Sequence, residues 1–231
     1  MAAVLRQGAR QVLWEIRKIE DPAAPLGDLA KTDKGIPVPV QPGQNTLLAL
    51  ADYMKDFCSD FKIPKDVAID IVSNVYSKYV LFTNVLINGK QYWEPAAFML
   101  IETPKDQSYY LDLHHICSAP HLRGYGFGKP LLKLYETESR AFSSVLPYII
   151  IEAINKPVAR DFYIRNGYKF TLFDQEDSLN HPNPPDIVYM IKFFQQQPGQ
   201  PGIIAQAKMT SGAPLRRGYI AADGELIETT L

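Results

Sequence analysis

The sequence predicts an α/β (α+β) domain with a mostly antiparallel sheet and about four helices. Three observations carry this: helix-spaced and strand-spaced segments are interleaved, three strand patterns follow one another around an Asn-Gly turn, and enough apolar material is present for a sizeable core. Of 231 residues, 46% are hydrophobic, 11% aromatic and 21% charged, which excludes a disordered chain. That length suits one main domain with extensions.

Val12 to Ile19 alternates well enough to form a first strand, and Asp21 to Pro42 is a Pro- and Gly-rich connection. Leu47, Leu50, Ala51, Met54, Phe57, Cys58 and Phe61 keep the three-and-four spacing of one helix face, with Asn45 or Thr46 as cap. Pro64 opens a second helix, where its missing N–H costs nothing, and Val67, Ala68, Ile71, Val72 and Val75 continue the stripe.

Strand patterns follow at Val80 to Ile87, Tyr92 to Glu102 and Tyr109 to Ser118, the first two joined by Asn88-Gly89 as a hairpin turn. Pro95 cannot donate to a ladder, so a bulge or an edge is expected beside it. Gly128 to Phe142 reads as a helix, Pro147 to Ile154 as an apolar strand and Val158 to Arg165 as a short helix. Tyr168 to Phe173 and Ile187 to Phe194 are the last strands expected. This gives an extension over 1–11, a domain over 12–194 and a Pro/Gly-rich C-terminal arm over 195–231, where sustained periodicity is lost.

The net charge of −1 provides no broad attraction for a polyanion, so neither nucleic acid nor an anionic membrane is expected as a partner. No apolar run approaches the length of a membrane span, and the opening MAAVLRQGARQVLW is too interrupted for a secretory signal. The only cysteines, Cys58 and Cys117, are expected to be reduced thiols rather than a disulfide framework, which points to the cytoplasm.

In HLRGYGFGKPLLKLYE, Arg123, Gly126 and Gly128 form an R-x-x-G-x-G pattern directly after a strand and before an amphipathic helix. Glycines let such a turn aim its N–H groups one way. With the positive helix end they suit a pyrophosphate, although an ordinary Gly-rich turn has the same composition. Asp112 and His114 share one strand face, His115 takes the other, and Glu152 sits on a later strand. His114, His115 and Cys117 lie on alternating faces, so no metal site is expected there.

SAPHLRGYGFGKPLL and NKPVARDFYIRNGYKF, in this order and separated by one helix and one strand, resemble the GNAT superfamily of acyl-CoA N-acyltransferases. The likeness in element order covers roughly residues 12–194, and the interval from Asn155 to Tyr163 is one residue longer than usual. The resemblance implies a GNAT-like mixed, twisted sheet splayed between Tyr109 to Ser118 and Pro147 to Ile154, with acetyl-CoA as acyl donor and no metal. It places the coenzyme against Ile116, Cys117, Ser118, Arg123, Gly124, Tyr125, Gly126, Phe127, Gly128, Lys129, Asn155 and Tyr163.

Acyl transfer to an amine of a small molecule or protein then needs an acid, matched by Tyr163, and a base, for which Asp112, His114 and Glu152 all stand open. Packing of Tyr163 on the sheet is the competing explanation of that residue. A different class of role is a structural or docking component of a larger assembly, which would engage a protein partner through 195–231.

Overall fold

The computed structural model describes residues 12–20, 29–31, 36–38, 46–87, 89–102, 111–142, 146–171, 186–194, 214–220 and 226–229. Eleven strands and four α-helices lie among them. In chain order these are β1 (Val12–Lys18), β2 (Leu29–Lys31), β3 (Ile36–Val38), α1 (Thr46–Met54), α2 (Pro64–Val72), β4 (Tyr76–Ile87), β5 (Lys90–Glu102), β6 (Asp112–Ser118), α3 (Gly128–Phe142), β7 (Tyr148–Ile154), α4 (Pro157–Arg165), β8 (Lys169–Phe170), β9 (Ile187–Phe193), β10 (Pro214–Ile220) and β11 (Leu226–Thr229).

The chain divides into two compact units, one of Met1–Thr103, His114–Leu132 and Gln206–Leu231, the other of Pro104–Leu113 and Lys133–Ala205. It passes between them within β6 and again within α3. In the first, an eight-stranded sheet has the order β11-β10-β1-β4-β5-β2-β3, with β6 also paired to β5. The second holds a three-stranded antiparallel sheet of order β7-β9-β8. The architecture is the mixed, mostly antiparallel α/β class that the sequence predicts, with its strands divided between two sheets.

The β4–β5 hairpin is the long spine of the first sheet, turning at Gly89 with φ +80°. Its register slips where Leu81 faces Ala97 but Phe82 faces Pro95, so Ala96 is the extra residue of a bulge. Pro95 causes this as expected, since its ring nitrogen cannot enter the ladder. The bulge has a use: the Ala96 carbonyl accepts the N–H of Ala119, the first residue beyond β6, at 2.9 Å.

Helix α1 buries Leu47, Leu50, Ala51, Tyr53 and Met54, the stripe read from the sequence. Phe57, just past it, lies 6.1 Å from the Phe98 ring of β5. Helix α2 starts at Pro64 and buries Val67 and Ile71. It ends where Ser73 turns extended, so Val75 falls outside it and is exposed.

Two expectations are corrected. The connection Asp21 to Pro42 carries short strands β2 and β3, with Leu29 of β2 parallel to Trp93 of β5. Residues 195–231, read as an arm without regular structure, contain β10 and β11, and β10 runs antiparallel along β1. Neither was visible in the local pattern, because the strands are short and the sheet that receives them, at β5 and β1, lies far away in the chain. Residues 172–185, which include the end of the strand expected at Tyr168 to Phe173, lie outside the described residues.

Pairing with both β4 and β10 makes β1 an interior strand, which explains why Trp14, Glu15, Ile16 and Arg17 are all buried. Its two charges satisfy each other: Arg17 donates to Glu15, and its guanidinium lies 5.1 Å and 5.2 Å from the ring centres of Phe82 and Trp93. Removing residues 195–231 strips one ladder from β1 and bares its edge. The shortened protein is expected to melt several degrees lower and to self-associate. Equal melting temperature and an unchanged sedimentation profile would show that β10 contributes nothing to the sheet.

Candidate functional site

The loop from Ser118 to Gly128 is built in three steps. Pro120–Leu122 forms one 3-10 turn, closed by the Leu122 N–H donating to Ala119 at 2.9 Å. The chain then passes through Gly124 at φ +88° and Gly126 at φ +80°, left-handed values that other residues adopt only with strain. Finally Lys129 donates to the Gly126 carbonyl at 3.0 Å as α3 begins at Gly128. Nothing lies within 4 Å of where a Cβ on Gly124 would sit, so conformation, not space, demands glycine there. Phe127 is buried and anchors the loop, while Tyr125 stacks 6.1 Å from it and Lys129 is exposed.

Arg123 points elsewhere. Its guanidinium pairs with Asp60 and donates to the Phe57 carbonyl at 3.0 Å, so it ties the loop to the turn after α1. Nearby, Cys58 and Cys117 are joined as a disulfide with their Cα atoms 5.5 Å apart. This corrects the expectation of two free thiols and removes the cysteine argument for a reducing compartment. At a separation of 59 positions, sequence spacing held no sign of their proximity. No helix among the described residues is long and apolar enough to cross a membrane.

Along β6, Leu113, His115 and Cys117 are buried, while Asp112, His114, Ile116 and Ser118 are half-buried on the alternate face. Two groups around this strand were not legible beforehand. Asp70 of α2 has its Oδ2 atom 2.9 Å from His115 Nε2, 3.3 Å from His114 Nε2 and 3.0 Å from Lys62 Nζ. The alternating-face argument against convergence of His114 and His115 is therefore corrected. Pleating fixes the Cβ directions, but an imidazole reaches several ångströms further, and both rings bend to one carboxylate. Their centroids are 4.2 Å apart, with Tyr76 stacked on His114 at 4.4 Å.

The second group joins β5 to the loop itself. Glu94, fully buried, takes a hydrogen bond from His121 at 2.8 Å and one from Tyr53 at 3.2 Å. A His in a Gly-rich loop and a Glu in a strand 27 residues earlier share no sequence signal.

In the second unit, α4 follows Lys156 with Pro157 in its first turn and ends at Gly167, φ +88°, where Tyr168 donates back to the Tyr163 carbonyl at 3.1 Å. Tyr163 is buried, its ring 5.1 Å from Phe162 and 5.6 Å from Tyr168. Burial, with a smaller contribution from Tyr135, pushes its phenol well above the ordinary range, so the hydroxyl keeps its proton at neutral pH. Asn155 closes β7: its N–H donates to Asp186 at 2.8 Å and its side-chain oxygen accepts from Arg160 at 2.6 Å. Glu152 is exposed on β7 opposite Tyr189.

No family model and no curated protein matches the chain. Solved structures do resemble it. An acetyltransferase from Streptococcus agalactiae is 18% identical over 78% of this chain and 98% of its own, with a TM-score of 0.45. A GNAT-family acetyltransferase from Streptococcus pneumoniae is 20% identical over 64% of this chain and 92% of its own, TM-score 0.39. A protein assigned as a streptothricin acetyltransferase from Bacillus anthracis, in complex with acetyl coenzyme A, is 20% identical over 55% of this chain and 67% of its own, TM-score 0.36. Likeness at this level assigns no residue a role, and the site stands on its own geometry.

Burial lowers the His115 pKa to about 4, helped by the neighbouring His114 and by Lys62, against the raising pull of Asp70. A histidine less basic folded than unfolded contributes stability that is present above about pH 6.5 and is lost as pH falls toward 4. Between pH 7 and pH 5, in chelator-treated buffer, unfolding free energy is expected to drop by about 2 kcal/mol on this account, and His115→Gln should flatten that slope. Equal slopes in the denaturant midpoints of the two proteins would contradict it.

Proposed function

We propose that the protein is an acetyl-CoA-dependent N-acetyltransferase acting by direct attack of an amine, on a small molecule or a protein. The observation that carries this reading is the loop between β6 and α3. Two left-handed glycines immediately before a 15-residue helix make a turn whose N–H groups and helix end favour a diphosphate. In this reading the backbone from Arg123 to Lys129 holds the diphosphate, and Ile116, Cys117 and Ser118 offer main-chain groups to the pantetheine arm. The guanidinium of Arg123 holds the loop in place through Asp60 instead of meeting the phosphates.

When bound, acetyl-CoA supplies the acyl group as a thioester. The chain must then remove a proton from the amine and return one to the thiolate. Tyr163 is the proposed acid, because burial keeps its hydroxyl protonated, and Asn155 serves the same segment by closing β7. His121, whose ring is held by buried Glu94, joins the candidates for the base. Asp112, His114 and Glu152 are the remaining candidates.

Acetyl-CoA is expected to bind in the micromolar range and raise the melting temperature. Gly126→Glu should abolish that shift, because it puts a strained residue and a negative charge where the diphosphate sits. Circular dichroism of the unliganded variant distinguishes lost binding from lost fold. No heat and no thermal shift for the wild type at millimolar coenzyme would defeat the enzymatic reading and favour a docking role.

Tyr163→Phe keeps the ring and its packing. Turnover is expected to fall roughly ten- to a thousand-fold while coenzyme affinity and melting temperature hold. Full turnover in this variant would mean another group protonates the thiolate. Joint loss of stability and coenzyme affinity would make Tyr163 a packing residue.

A further inference from the structure

The segment after α1, helix α2 and strand β6 bring Lys62, Asp70, His114 and His115 together within the first unit. Asp70 Oδ2 is 3.3 Å from one imidazole nitrogen and 2.9 Å from the other, and all three atoms lie within 4.8 Å of one another. A tetrahedral ion with bonds of roughly 2.0–2.1 Å sets neighbouring ligand atoms about 3.3 Å apart. The two Asp70 separations already sit close to that value.

His115 Nε2 carries a second piece of information. It lies 2.9 Å from Asp70 Oδ2 and also 3.1 Å from Lys62 Nζ, which is itself 3.0 Å from Asp70 Oδ2. One ring nitrogen can donate to the carboxylate or accept from the ammonium, but not both. In the tautomer that carries its proton on Nδ1, His115 accepts from Lys62 and turns a lone pair, as Asp70 does, toward the same cation. Two acceptors closing on one ammonium form the arrangement in which a metal ion is held, with the cation here borne on a side chain.

We propose that Asp70, His114 and His115 bind a divalent first-row transition metal, Zn2+ foremost, which displaces the Lys62 ammonium. Two imidazoles and one carboxylate suit zinc or cobalt, whereas calcium and magnesium prefer all-oxygen sets. Lys62 stands on a four-carbon stem and is 29% exposed, so its head can swing into water when the ion enters. Stacking on Tyr76 holds the His114 ring where it is needed. Three protein ligands leave a fourth position to water. Bound there, the ion cross-links α2 to β6, and its binding does not depend on acyl transfer.

The test uses the full, untagged, chelator-stripped protein. Titration with Co2+ is expected to produce visible d–d bands of a low-coordinate site saturating at one equivalent, and Zn2+ should bleach them and raise the melting temperature. Asp70→Asn and His115→Gln should each weaken Co2+ binding by about tenfold or more. Lys62→Met keeps every ligand and removes the competing cation, so it should tighten binding several-fold. Absence of one-equivalent binding in the wild type would overturn the site, as would unchanged affinity in Asp70→Asn and His115→Gln. Should those two variants fail to fold, Lys62→Met decides: unchanged or weaker binding refutes displacement at this cluster.

Discussion

Strand β6 is the last strand of the first sheet before the Gly loop, and it is held to the helical segment 46–72 by three different kinds of bond. A covalent one joins Cys117 to Cys58. A hydrogen-bonded one gathers His114 and His115 on Asp70, with His115 a neutral imidazole at neutral pH. The third runs from the loop back, Arg123 reaching Asp60 and the Phe57 carbonyl. A disulfide closing a loop of this size stabilises by roughly 2–4 kcal/mol, and a half-buried carboxylate left without donors costs about as much. Burial alone would raise Asp70, yet Lys62, His115 and His114 together hold its carboxyl below the usual range. The position of the loop depends on this clamp.

The loop is also fixed from the sheet side. Pro95 forces Ala96 out of the β4–β5 ladder, and the freed Ala96 carbonyl receives the first N–H beyond β6. Two residues earlier, Glu94 enters the interior and takes hold of His121. An irregularity of a few residues in β5 thus holds the residue before the 3-10 turn and the turn's middle residue. Bulges beside functional loops commonly re-aim side chains in this way.

The second unit relies on local signals. Helix α4 has a proline start and a glycine stop, and β7 and β9 pair over their full lengths. Tyr163 meets the rings of Phe162 and Tyr168 in the same short segment. Apart from the β7–β9 pairing, such features lie within ten residues of one another and can be read from spacing. The partner of an interior carboxylate such as Glu94 cannot, since nothing in a strand pattern says which distant donor will arrive.

By itself, the sequence determined where the main helices fall, the hairpin at Gly89, an irregularity or edge beside Pro95 and the glycine turn ahead of α3, because each follows from periodicity or from a residue with a narrow φ range. Only the tertiary structure decided that β10 lies along β1, that Cys58 meets Cys117, and that two adjacent histidines share Asp70. Those pairings join residues tens to hundreds of positions apart. Their cost is chain entropy and their gain is burial, and neither leaves a mark in a window of local sequence.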